Sequence, residues 1–474
     1  MNNQKPIMPD CLLEIYSLFC NRYINLKPSI ILNILLVKTA QMLTSKRILI
    51  DEVGRDIIPN WFTMVFVSSG FGKDRLVKDY NELVFKQFYS WFDNRAKEYY
   101  QNKINEIELN AMEKYSGAKK DSQKENYIAT EKEKIRNLVI EMQDGTQEGL
   151  YADAKAFKNA DFGSLFIIIS EFGKYIQAST TDKEMFINCL FKAYDGEILN
   201  KCTKTFRREA DIKEIPTNAL LYSDHNLILG ELKNVVAGLL KTGFSRRFTI
   251  GFQPNAVLKN DSLSYEKEKQ FNQSAIKSGY KLFEKFKQIE LCTSYSILPE
   301  AKHLLNEYKE KCIELYNNTD NIFLQLEINS REFKALKLSG LYACLNHPKE
   351  EIINPNDIKQ TISTVEFLSK DLNDLLNYQV QRNDIYDRVF NFFLEHMGEK
   401  FAKTKLTYSH HKDVGITRDK FIKNFNDIIE GVKFIASDKG YLLKTKAINN
   451  NTGMEYCLVK IDIDNSLPEL SDLL

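Results

Sequence analysis

The stretch VSSGFGKD, Val67–Asp74, sets two glycines, a lysine and a carboxylate within five positions. Glycines let consecutive backbone N–H groups turn toward one anion, and a lysine opening a helix neutralises it; this is the chemistry of phosphate binding. Ser69, Gly70, Phe71, Gly72 and Lys73 are the candidate phosphate contacts. The pattern departs from G-x-x-x-x-G-K-[ST] at both ends. Val67 stands where the first glycine belongs, and Asp74 stands where a hydroxyl would meet magnesium.

A second stretch, Leu165–Glu171 (LFIIISE), is an apolar run ending in Ser170-Glu171. Nucleotide-hydrolysing enzymes of this type end such a strand in Asp-Glu: the aspartate holds the magnesium shell and the glutamate polarises water. Here the glutamate is present and the aspartate has become serine. Compared with the loop, carboxylate and hydroxyl have changed places. One expectation is that Asp74 and Ser170 face each other and hold magnesium with their ligands swapped. The alternative is that both changes are decay and Glu171 survives for the fold.

Two further features accompany these. The run Asn218–Tyr222 ends in Ser223-Asp224, candidate sensors of the terminal phosphate. Arg246 and Arg247 precede the run Phe248–Phe252, where one could stabilise transition-state charge on a neighbouring subunit or simply meet a carboxylate. Between the second and third runs, Asp195–Arg208 alternates like a hairpin and is basic. Lys201, Lys204, Arg207 and Arg208 would track phosphates and Phe206 would stack a base, unless the hairpin is only solvated.

The elements that must position these groups follow from the apolar pattern. Phe62–Val67, Leu165–Ile169, Asn218–Tyr222 and Phe248–Phe252 are short continuous apolar runs separated by helical periodicity, which predicts a covered parallel sheet. Residues 1–60 are expected to be mainly helical, 84–142 a charged helical hairpin inserted in a core of 61–255, and 256–395 a helical region. Residues 396–462 run helix, helix, β-hairpin, the order of a winged helix, and 463–474 form an acidic tail. From Lys400 to Lys460 twelve Lys/Arg face six Asp/Glu, an excess hidden in a net charge of +1. Arg418, Lys420 and Lys423 on a recognition helix, with Lys444 and Lys446 near the wing, are candidate nucleic-acid contacts. The tail Leu467–Leu474 is either a partner-binding peptide or disordered. Eight dispersed cysteines form no C-x-x-C pair, and Ile30–Val37 is too short to span a bilayer. A reducing, cytoplasm-like compartment and no membrane partner are expected.

With WFTMVFVSSGFGKD, GTQEGLYADAK, SLFIIISEFGKYI, FKAYDGEI, GFSRRFTIGFQP and REFKALKLSGLYACL in this order, the chain resembles a helicase-like P-loop family of phages and mobile elements. It looks related to viral and plasmid primase-helicases and, more distantly, to AAA+ replicative helicases. The resemblance covers most of residues 1 to about 375; GTQEGL and AYDG are its more discriminating pieces. It implies an α/β, P-loop NTPase core with a helical lid, an ATP-hydrolysing ring using Mg²⁺, and Arg331 as a lid-borne sensor. The implied partners are single-stranded or forked DNA and further copies in a hexamer, with activity as a translocase or replicative helicase. The other reading is a catalytically weak nucleotide-binding assembly protein, such as a helicase loader or origin binder.

Overall fold

The computed structural model describes residues 5–68, 70–115, 121–143, 146–172, 181–199, 211–224, 243–254, 258–438, 441–448 and 453–460. They divide into two compact units, residues 5–224 with 243–373, and residues 374–460. The division thus falls inside the helix Pro355–Glu395, ahead of the boundary expected at residue 395.

At the centre of the first unit is a five-stranded sheet whose strands are all parallel. Its spatial order is Met142–Gln143, Leu165–Ile169, Thr217–Ser223, Phe62–Val67, Phe248–Gln253. The four apolar runs of the sequence are its four longer strands. Each is buried at every position, which is why it carries no polar alternation. The helix Pro28–Thr44 opens on a proline and is buried on almost all sides, sharing one hydrophobic core with Val65, Phe166, Leu220 and Tyr222 of the sheet. That surrounding burial explains the apolar Ile30–Val37 run. No helix among the described residues is long and apolar enough to cross a membrane.

Residues 1–60 and 256–373 are less purely helical than their pattern implies. Leu49–Glu52 and Arg55–Ile57 join Ser294–Ile297 and Ile352–Ile353 in a second, mixed sheet, tying the two regions together. Within 84–142, the helices Lys86–Lys114 and Asp121–Lys134 form the expected charged pair, joined by Lys132 to Glu108 at 2.8 Å. The second of them buries no residue.

The second unit contains the helices Lys403–Tyr408, Arg418–Lys423 and Phe425–Asp438, followed by the antiparallel pair Tyr441–Ile448 and Gly453–Lys460. Phe401–Ala402 adds a third strand beside Gly453–Lys460. Phe390, Phe393, Phe401, Phe421, Val432 and Leu458 are among its own core residues. The acidic tail lies outside the described residues.

Candidate functional site

Because the five strands are parallel, their C-terminal ends share one edge of the sheet, the edge at which such sheets bind ligands. The glycine loop leaves Val67 there. Gly70 and Gly72 both adopt left-handed backbone, φ 89° and 90°. A Cβ at Gly70 would meet nothing within 4 Å, and one at Gly72 only Tyr23 at 3.7 Å, so conformation rather than space requires glycine. Gly72 caps the helix Lys73–Asp79, and Phe71 and Lys73 are buried beneath the loop. Ser69 lies outside the described residues.

Lys73 Nζ stands 3.7 Å from Asp74 Oδ2 and 5.9 Å from the centre of the Tyr222 ring. Tyr222 is a member of this site that the sequence pattern does not reveal. Burial, then the Asp74 and Glu141 charges, push its hydroxyl up to about 12. The strand Thr217–Ser223 runs between the loop strand and the Glu171 strand, so its side chains separate theirs. Register pairs Ile169 with Leu221, and Ser170 continues the alternation of Phe166 and Ile168 on the face that carries Tyr222. Ser170 and Glu171 are exposed at the rim, while Ser223, paired in register with Phe66, is buried ahead of Asp224.

A polar network lies within the same core. Lys38, fully buried, donates to Glu141 Oε1 at 2.5 Å and to the Tyr89 hydroxyl at 3.0 Å, with its ammonium 4.5 Å from the Phe166 ring centre. Burial lowers the Lys38 pKa and Glu141 opposes that shift. Among the described residues, no group of three or more His, Cys, Asp or Glu is arranged to hold a metal. Asp74 and Ser170 are oxygen donors of the kind magnesium takes one or two of, filling its shell with water and phosphate oxygens.

The candidate arginines occupy the other edge. Arg246 and Arg247 lie in the turn Ser245–Arg247, immediately before Phe248–Gln253, about 20 Å along the strands from the loop. They cannot serve the loop of their own chain. Arg247 is committed to Asp195 at 3.3 Å and lies over the Phe191 ring. Arg246 is exposed and has no hydrogen bond or ion pair among the described residues. Arg331, expected as a lid-borne sensor, is bound within its own unit to Glu327 at 2.7 Å and Glu366 at 3.1 Å.

Lys337, three residues after Lys334 on the same helix, donates to Asn60 Oδ1 at 2.5 Å and to the Tyr194 carbonyl at 2.7 Å. The AYDG piece thus serves as an anchor, through Tyr194 to Lys337 and Asp195 to Arg247. Burial pushes the Lys337 ammonium down from 10.5 to about 7. Unfolding restores the ordinary value, so between about pH 7 and 10.5 the unfolded chain binds more protons and stability rises with pH. Below that window the amine is protonated in both states. Lys337→Met should therefore flatten the rise in unfolding free energy across the window relative to wild type, measured by denaturant titration.

Glu197–Ile198 and Ile212–Lys213 form a short antiparallel pair. Lys201, Lys204, Phe206, Arg207 and Arg208 lie outside the described residues. In the second unit, Arg418, Lys420 and Lys423 sit on their own short helix, separated from Phe425–Asp438 by a break at Asn424. They and Lys444 and Lys446 on the hairpin are exposed, and none has an ion-pair partner among the described residues. The Arg418 guanidinium lies 3.7 Å from the centre of the half-exposed Tyr408 ring, a stack absent from the sequence reading.

Against known proteins, no family model and no curated protein matches this chain.

Proposed function

We propose that the chain is an ATP-driven nucleic-acid translocase or replicative helicase of a phage or mobile element, working in the host cytoplasm as a hexameric ring. The reading includes a P-loop NTPase core of the AAA+ type, a helical lid and a C-terminal winged helix. The observation that carries it is the loop. Two glycines of left-handed backbone leave a central parallel strand and deliver a buried lysine to the start of a helix, at the edge where the Glu171 strand also ends.

In this reading Lys73 neutralises the β- and γ-phosphates of ATP, and backbone N–H groups of residues 69–73 surround them. Asp74 and Ser170 would hold Mg²⁺, which when bound neutralises charge on the phosphates. Tyr222 keeps the Asp74 carboxylate oriented. Glu171 orients the attacking water, and Ser223 or Asp224 responds to the γ-phosphate. Arg246, the exposed arginine of its pair, acts on a neighbouring copy. DNA phosphates are tracked by the 201–208 segment and by the second unit's cations.

A second reading, a nucleotide-binding helicase loader or origin binder with weak catalysis, is favoured by one observation: the Asp74 carboxylate lies 3.7 Å from Lys73 Nζ, where it competes with phosphate for the ammonium. Particle images with an ATP analogue and single-stranded DNA test the ring. A ring threaded by the strand supports the motor, and single particles without a ring count against it. Replacing Lys420 and Lys423 by Glu should weaken DNA binding alike for all sequences. The slope of log K against log salt should shrink by about one per lost phosphate contact, read by fluorescence anisotropy. An unchanged slope would assign that face to a protein partner.

A further inference from the structure

The turn that carries Arg246 is held by a buried lysine. Lys334, only 2% exposed, donates from Nζ to the Ser245 carbonyl at 3.0 Å and to the Phe248 carbonyl at 3.1 Å. These carbonyls lie immediately before and immediately after the two arginines. Taking an ammonium out of water costs several kcal/mol unless it is well paired, and an apolar side chain would fill the same volume without that cost. What the ammonium adds is a clamp on both ends of a three-residue turn.

The clamp is itself anchored. Lys334 Nζ lies 3.5 Å from Glu327 Oε1, and Glu327 accepts from Arg331 at 2.7 Å and from the Ser369 hydroxyl at 3.0 Å. Glu366 takes Arg331 at 3.1 Å and the Tyr308 hydroxyl at 2.6 Å. The helices Pro299–Asn317, Ile322–Asn346 and the first half of Pro355–Glu395 are thereby joined to the turn through one side chain. With Arg247 closed off by Asp195, the group this arrangement leaves projecting is Arg246.

We propose that Lys334 is a positioning residue for Arg246, fixing the turn so that the exposed guanidinium is presented to a neighbouring copy and moves with the helices behind it. The inference rests on the proposed action of Arg246 in trans. It also gives Arg331 a different place from the one its motif suggests: a member of the anchor, acting at a distance from phosphate.

The test is a double-mutant cycle in the full-length protein, reading ATP turnover and the affinity for a fluorescent ATP analogue. Arg246→Ala should lower kcat about 1000-fold. Lys334→Met should lower it about 10- to 100-fold, the cost of a group displaced by about 1 Å. Both should leave analogue affinity within about twofold of wild type, and the double variant should be no slower than Arg246→Ala alone. A merely structural role gives losses that multiply in the double variant, and that result, or a Lys334→Met rate equal to wild type, overturns the inference. If Lys334→Met does not fold, Lys334→Gln, whose amide still donates, is read in the same cycle. A wild-type chain with no turnover removes the proposed function, and this inference with it.

Discussion

Replacing Lys73 by alanine is expected to weaken nucleotide binding about 10- to 100-fold and to reduce turnover to background. The side chain is 9% exposed, and its described ionic partner is a largely exposed carboxylate at 3.7 Å. A cation so buried and so loosely paired is costly in the free protein. An arriving phosphate relieves that cost, and a hydrogen bond between charged groups contributes about 1.5–3 kcal/mol. The same reasoning predicts that Lys73→Ala leaves thermal stability unchanged or slightly raised, since an under-paired charge is removed. Titration of a fluorescent ATP analogue and a thermal melt read the two effects. An unchanged affinity would move the nucleotide elsewhere on the molecule.

The second large effect concerns Asp74 and Ser170. Asp74→Ser leaves two hydroxyls near the metal position, and Ser170→Asp leaves two carboxylates. Each should cut turnover about 100- to 1000-fold, the usual cost of losing or misplacing one charged stabiliser. The double exchange returns one carboxylate and one hydroxyl, with their positions exchanged, and should recover to within about tenfold of wild type. Tyr222 shapes the outcome. The Asp74 charge already acts on its hydroxyl, and continuing the strand alternation past the Ile169–Leu221 pair turns position 170 toward the same face. Recovery in the double variant that disappears with Tyr222→Phe would show that the hydroxyl orients whichever carboxylate is present. A double variant as slow as the slower single one would mean decay, not exchange.

The loop, the four buried strands and the order of elements in the second unit were legible because continuous apolar runs and glycines carry local signals. Strand order carries none. The sequence sets Thr217–Ser223 third among the apolar runs, yet it lies between the first and second, and that position brings Tyr222 beside the glycine-loop strand and its lysine. The second sheet was hidden because its strands are two to four residues long and half exposed, like loops. Lys38, Lys334 and Lys337 were hidden for a different reason. A lysine in a helical pattern reads as a solvated face, while all three are interior groups whose charge is met by a carboxylate or by carbonyl oxygens. The ion pairs of Arg331 were hidden too, since nothing in the sequence signals that Glu327, one turn away, and Glu366, on another helix, converge on it.

The most direct measurement is steady-state ATP hydrolysis, with and without single-stranded DNA, for wild type and Glu171→Gln. The expected result is turnover stimulated by DNA and lost about 100- to 10,000-fold in Glu171→Gln, with nucleotide affinity retained. Stable ATP binding without turnover in wild type, unaffected by Glu171→Gln, would contradict a motor and leave a nucleotide-binding assembly protein in its place.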